Sequence, residues 1–214
     1  MQAAFIIKNA YTSFPEGSIH IIGVNPQITV DTCHLVIQSN GHYFIGADNG
    51  MFSLMFDKIP DKIFEITIPP DGGYRSFPTN DVFVKAACHI ARGGTLEIIG
   101  KEKGGFLERI MIRPVLDGNI LKGSIIYIDS YENLITNIGE NTFQEAAKGR
   151  DFKIFLKYSG YHIKTIAQSY NDVPEGEMLA LFSVAGYLEI AINMGSANGL
   201  LGMQLGDTIR IEFE

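Results

Sequence analysis

Between Arg113 and Asn119 the pattern of this 214-residue chain changes. Before that point, runs at strand spacing alternate with runs at helical spacing; after it, short apolar runs follow one another with turn residues between them. The change reads as a domain boundary. It predicts an α/β domain over residues 1–112 and a mostly β domain, barrel or sandwich-like, over residues 113–214. With 46% hydrophobic residues the chain has ample material for a core.

In the first part, Ala3, Ala4, Ile6, Ile7 and Ala10 recur at helical spacing, and the run stops at Pro15-Glu16-Gly17. The chain thus begins inside a helix without an N-cap, which favours a truncated start over one that is merely short. SIHIIGV (Ser18 to Val24) and HLVIQSNGHYFIGA (His34 to Ala47) read as strands, the latter as two strands joined at Asn40-Gly41, a dipeptide suited to a tight hairpin turn. A helix is expected from Asp48 or Asn49, a strand over Lys62 to Pro69, a loop rich in Pro and Gly up to Asn80, and a largely buried helix from Asp81 to Arg92. In the second part, seven apolar runs read as strands: NILKGSIIYID, NLITNI, DFKIFLKY, YHIKTIAQSY, EMLALFSV, YLEIAIN and DTIRIEFE. One short helix is expected near Phe143 to Ala147.

Composition removes several functions. Charged residues are 19% of the chain, the net charge is −7 and no Lys/Arg cluster occurs, so a nucleic-acid surface is not expected. No apolar run approaches the length of a membrane span and the N-terminus has no signal-peptide pattern, which makes the cytoplasm the default location. Cys33 and Cys88 lack CxxC spacing and are expected to be buried, unreactive thiols. His20, His42, His89 and His162 show no ligand spacing, so no metal is expected, and His34 is expected to be a strand residue facing a neighbour.

The most informative stretch is YIDSYENLITNI, Tyr127 to Ile138, where an Asp and two Asn punctuate an apolar, β-rich segment. Asp129 offers carboxylate acceptors, while Asn133 and Asn137 offer both donors and acceptors, an inventory able to read a purine edge or sugar hydroxyls. Tyr131 can stack on such a ring. The same residues also fit a strand, a tight turn and a second strand whose Asn and Asp satisfy their own backbone.

That order, a YID followed by an aromatic, an Asn and LITNI, resembles the family of S-adenosylmethionine hydroxide adenosyltransferases, relatives of the fluorinase and chlorinase. FIGADNGMFSL (Phe44 to Leu54) is similar to that family's DNG turn, DVFVKAACHIARG (Asp81 to Gly93) to its central helix, and VPEGEMLALFSVAGYLEIAINMGSA (Val173 to Ala197) to its C-terminal signature. The resemblance implies a homotrimer in which the adenosyl group sits between the α/β domain of one subunit and the β domain of another. It implies that Asp129 contacts the amino acid end of S-adenosylmethionine, with Tyr131 beside it, that Asn133 reads adenine, and that Tyr170 packs on the ring. Ser183 falls near the methionine moiety, and Asn193 and Met194 match the segment that meets the adenine edge. Glu189 is expected to be a structural partner.

The resemblance departs from the family at its chemistry. The hydrolase branch carries an Asp, an Arg and a His at positions where this chain has Asn25, Thr32 and Pro78. Phe77 and Thr79 match an aromatic and a hydroxyl that desolvate and position a small nucleophile in the fluorinase branch. The implied reaction is direct displacement at C5′ by water or hydroxide, with Asn25 and Thr79 holding the nucleophile and no cofactor beyond the substrate. Sulfonium is already a good leaving group, so alignment in a dry site matters more than a strong base. The alternative is a non-catalytic binder of S-adenosylmethionine or adenosine, and a third reading is a trimer without a ligand.

Overall fold

The computed structural model describes residues 2–29, 32–69, 77–110, 112–156, 160 and 162–214. The chain divides into two compact units, Ala3–Ile110 and the chain from there to Glu214. The fold class expected from the sequence holds: a mixed α/β unit is followed by a unit built on a nearly closed β-sheet.

The first unit opens with α1 (Gln2–Ala10), then runs through β1 (Ile19–Ile22), β2 (His34–Ser39), β3 (His42–Ala47), α2 (Met51–Met55), β4 (Lys62–Ile66), α3 (Val84–Ala91), α4 (Leu96–Ile99) and β5 (Gly100–Glu102). Its sheet has the order β1-β3-β2-β4-β5, with β1 parallel to β3 and the remaining pairs antiparallel. The β2–β3 hairpin turns at Asn40-Gly41, where φ is 49° and 75°. Positive φ at both central residues matches the twist of the flanking strands and suits this dipeptide. Val36, Ile45 and Phe64 on the sheet pack against Phe83, Ala86 and Ile90 of the α3 segment.

Three expectations here need adjusting. The helix expected at Asp48 or Asn49 begins at Met51, because Asn49 Oδ1 accepts from Met51 N–H at 3.2 Å and Gly50 takes φ 86°. The helix expected from Asp81 starts earlier, with Thr79–Phe83 wound as a π-helical turn before α3. Such turns recur at functional sites because they displace a side chain from its regular position. Cys88 is exposed rather than buried. Residues 70–76 of the expected Pro/Gly-rich loop lie outside the described residues.

The second unit comprises β6 (Val115–Asp117), β7 (Ile120–Ile128), β8 (Leu134–Gly139), α5 (Glu140–Ala147), β9 (Phe152–Phe155), β10 (His162–Ile163), β11 (Met178–Phe182), β12 (Tyr187–Ile192), α6 (Ala197–Leu201) and β13 (Thr208–Phe213). The strand order is β10-β9-β13-β7-β8-β12-β11, with β6 paired on β7. After β10 the chain returns to the far end of that order, where Ile166 bridges Ala180 and Ala167 N–H donates to Ala180 O at 2.7 Å. The strand expected over YHIKTIAQSY is therefore only two residues long; Tyr161 lies outside the described residues. Leu121, Ile154, Leu188, Ile190, Ile211 and Phe213 fill the interior. No helix among the described residues is long and apolar enough to cross a membrane.

Candidate functional site

The hairpin between β7 and β8 builds the first wall of a cleft in the second unit. Glu132 N–H donates to Asp129 O at 3.1 Å and Glu132 takes φ 65°, so Ser130, Tyr131 and Glu132 form a three-residue loop ending in a left-handed residue. Asp129 organises it from within. Its Oδ1 accepts from Tyr131 N–H at 2.9 Å and Asn133 N–H at 2.8 Å, and its Oδ2 accepts from the Asn133 side-chain amide at 3.1 Å. The self-satisfying turn is thus real for Asp129, and it orients the polar residue beside it. With its NH2 group turned to Asp129, Asn133 has the carbonyl oxygen to offer a donor. Asn133 is buried, whereas Tyr131 is 79% exposed.

Tyr170 forms the opposite wall. It begins a short 3-10 turn closed by a capping box: Ser169 Oγ accepts from Asn171 N–H at 3.3 Å, and Asp172 Oδ2 accepts from Ser169 N–H at 3.1 Å. From there the Tyr170 hydroxyl donates to Glu189 Oε1 at 2.7 Å, with Glu189 only 4% exposed on β12. Burial raises the Glu189 carboxyl above its ordinary value, and the nearby Asp129 pushes the same way, while the Tyr170 bond partly opposes them. Burial also raises the Tyr170 phenol, and acceptance by Glu189 adds to the effect, so the hydroxyl keeps its proton.

Beyond β12, Asn193 is held by its side-chain amide donating to Val173 O at 2.8 Å and its N–H donating to Glu177 O at 3.0 Å. Met194 follows at φ 53° and is 85% exposed. Tyr131, Asn133, Tyr170, Asn193 and Met194 line one cleft of about 750 Å³ together with Glu132 and Ser196. Five residues expected from the sequence thus meet there, with Asp129 inside the loop that carries two of them. Ser183 does not line it. Its hydroxyl donates to Tyr187 O at 3.3 Å in the turn between β11 and β12. Asn137 is also elsewhere, tying Ser124 N–H (2.8 Å) and Ile112 O (2.7 Å) to β8 from a buried position.

In the first unit, the three residues expected to handle the nucleophile occupy the segments after β1 and before α3. Asn25 takes φ 44°, and the carbonyl before it, Val24 O, accepts from the Asn49 side-chain amide at 2.8 Å. Asn49 of the DNG turn therefore holds the Asn25 loop while its Oδ1 accepts from the first N–H of α2. Thr79 lies against Gly23: a Cβ added there would stand 3.1 Å from Thr79 Oγ1. The missing side chain lets that hydroxyl approach the strand end two residues before Asn25. Phe77 is exposed, and its carbonyl accepts from Asn80 N–H (3.1 Å) and Asp81 N–H (3.2 Å) at the start of the π-turn. Pro78 is buried. Thr32 is engaged locally with Thr29 and Gln27 O. His34, 2% exposed, bonds Pro26 O at 2.7 Å through Nε2 and meets Phe83 edge-on, and burial lowers its pKa.

Sequence reading missed Glu132, Ser169 and Ser196 as cleft residues; the S-x-x-D spacing of Ser169 and Asp172 is the one local signal among them. It also missed two clusters. His20 Nε2 and His42 Nδ1 lie 3.3 Å apart because β1 and β3 pair in parallel. Lys103 donates to Asp48 Oδ2 at 3.0 Å and Cys33 Sγ at 3.1 Å, and burial, the largest influence, raises the Cys33 thiol.

Comparison with known proteins bears on this arrangement. Residues 1–100 match the SAM hydroxide adenosyltransferase N-terminal domain and residues 123–210 the C-terminal domain. A protein of Thermus thermophilus named (R)-S-adenosyl-L-methionine hydrolase is 28% identical, the match covering 98% of this chain and 82% of that one. Proteins of the same name from Salinispora arenicola and Methanocaldococcus jannaschii are 25% and 26% identical, over 91% and 97% of this chain and 74% and 76% of theirs. Among solved structures, an uncharacterized conserved protein from Thermotoga maritima shares the fold with a TM-score of 0.87 at 24% identity, covering 98% of this chain and 82% of that one.

Proposed function

Since the chain belongs to the S-adenosylmethionine hydroxide adenosyltransferase family, we propose that it is an S-adenosylmethionine hydrolase releasing adenosine and L-methionine. The observation that carries this reading is the cleft of the second unit, where Asn133, Tyr170, Asn193 and Met194 converge from separate elements. There Asn133 accepts from adenine, Tyr170 and Tyr131 offer faces to the ring, and Asp129 serves the amino acid end. Stacking on one such face contributes about 1 to 3 kcal/mol. The Asn193–Met194 segment meets the adenine edge, while Ser183, outside the lining of this cleft, is assigned to the methionine moiety by the family resemblance alone.

Handling of water falls to Asn25 and Thr79, with Phe77 helping to exclude bulk solvent. The water oxygen attacks C5′ in line with the carbon–sulfur bond; that bond breaks, its electron pair returns to the sulfur of methionine, and the attacking water loses one proton to solvent. Neither Asn25 nor Thr79 is a base at neutral pH, so their contribution is alignment. We further propose a homotrimer in the cytoplasm, with S-adenosylmethionine as the small-molecule partner and no cofactor. Light scattering on the purified protein tests the assembly.

Asn25, Thr32 and Pro78 favour a second reading, a binder of S-adenosylmethionine or adenosine without turnover, because they stand where the hydrolase branch has an Asp, an Arg and a His. Incubating the purified chain with S-adenosylmethionine, followed by chromatography for adenosine and methionine, separates the two. Protein-dependent formation of both products in equal amounts supports hydrolysis. Binding of adenosine without product supports the second reading, and neither binding nor product removes both.

A further inference from the structure

Glu132 is an unexpected residue at its position. The last residue of its three-residue loop takes φ 65°, a conformation that glycine adopts freely and that strains a side chain with a Cβ. Strain of this kind persists where the surroundings hold it in place. Two contacts do so here: Glu132 O accepts from Asn198 N–H at 2.9 Å, and the Glu132 carboxylate accepts from the Ser196 hydroxyl. Ser196 Oγ in turn accepts from Gly199 N–H at 2.8 Å at the start of α6. The side chain is therefore fixed across the cleft mouth, from the β7–β8 loop to the α6 segment.

Charge gives that placement a purpose. Among the described residues the cleft is lined by Ser, Tyr, Glu, Asn, Ile, Met and Gly, with no Lys, Arg or His. Among the described residues neither Glu132 nor Asp129 has an ion-pair partner; Glu132 meets a hydroxyl, and Asp129 meets backbone N–H groups and the Asn133 amide. An acidic side chain in the lining beside aromatic faces, with the Asp129 carboxylate in the loop next to it, suits a ring-bearing ligand that is cationic and opposes one that carries phosphate.

We infer that Glu132 is a specificity-determining residue that makes the cleft prefer a cationic adenosyl ligand over its neutral or anionic analogues. The inference rests on the reading of the cleft as the adenosyl site. It selects S-adenosylmethionine, whose sulfonium gives it a net positive charge, over S-adenosylhomocysteine, which is nearly the same shape and lacks that charge. Adenosine 5′-monophosphate is disfavoured most.

The test is calorimetric titration of the full chain, wild type, Glu132→Gln and Glu132→Gly, with those three ligands. Glu132→Gln keeps an acceptor for Ser196 and removes the charge. Glu132→Gly relieves the strain, so its melting temperature stays at or above that of the wild type. In both variants the preference for S-adenosylmethionine over S-adenosylhomocysteine falls roughly three- to fivefold, the scale of an exposed ion pair, and the monophosphate binds more tightly. Unchanged ratios in both variants overturn the role of Glu132 while leaving the cleft as the adenosyl site. If the wild type binds none of the three, the cleft assignment itself fails and this inference falls with it.

Discussion

Asp129 bonds through both carboxylate oxygens within its own loop, and those bonds hold the neighbouring residues of the cleft still. Asn133 is the residue they orient. Replacing Asn133 with Ala should weaken adenosine binding by about 1 to 3 kcal/mol, the cost of leaving a buried donor unpaired, as read by calorimetry. An unchanged affinity would put adenine elsewhere. The Tyr170–Glu189 bond makes a prediction of opposite kind. The Glu189 carboxyl is raised in the folded protein, so its proton is favoured by folding; its contribution to stability is present at low pH and is lost as pH rises through the folded-state value. Glu189→Gln removes that titration but still accepts from Tyr170. The variant's stability relative to the wild type should therefore improve on going from about pH 4 to about pH 8, measured by urea unfolding. Tyr170→Phe instead leaves the buried carboxyl without its donor and should cost about 1 to 3 kcal/mol at neutral pH.

The elements of the second unit pack closely enough that a methyl group distinguishes its glycines. Gly123 on β7 faces β8, where an added Cβ would lie 2.5 Å from Ile138 Cγ1 and 2.8 Å from Asn137 Oδ1. Gly123→Ala therefore overpacks the strand pair and disturbs the Asn137 staple, for an expected loss of about 1 to 3 kcal/mol in urea unfolding. Gly139→Ala is the control. It has φ −75° and nothing nearer than 3.8 Å, so its stability should change by less than about 0.5 kcal/mol. Equal losses at the two positions would show that packing against β8 is not the cause. In the first unit the Asn40-Gly41 turn was legible in the sequence because positive φ at adjacent residues selects that dipeptide locally. The shortened β10 was not legible: its apolar run suits a strand, but the chain must leave β9 to reach β11, a requirement set by closure of the sheet.

At the scale of the whole molecule the titratable groups give the two units different acid responses. In the first unit His20 is lowered by burial foremost and by His42, and His34 is lowered by burial. A depressed imidazole stabilises the fold above its ordinary pKa, and that contribution is lost as pH falls through the folded-state value. The unfolding midpoint of the first unit should accordingly fall between about pH 7.5 and about pH 5.5, and His20→Phe should lessen the fall. Glu189 drives the second unit the other way over the acidic range. Site-resolved hydrogen exchange of the first unit at the two pH values checks its fall; unchanged protection there would contradict it.

Local chemistry made part of this protein readable from its residues. Hydrophobic periodicity marked the change from mixed α/β to β, positive-φ residues marked the tight turns, and the polar residues of YIDSYENLITNI marked a loop that needs partners, because each of these depends on neighbours a few residues away. What only the tertiary structure decided was which distant groups meet. The parallel pairing of β1 with β3 brings His20 to His42, the path of the chain past β12 brings Ser196 to Glu132, and the segment between β10 and β11 brings Tyr170 to Glu189 on β12. Such contacts are set by the burial of whole sheets, whose free energy is collected over many residues at once and leaves no signature in a short stretch of sequence.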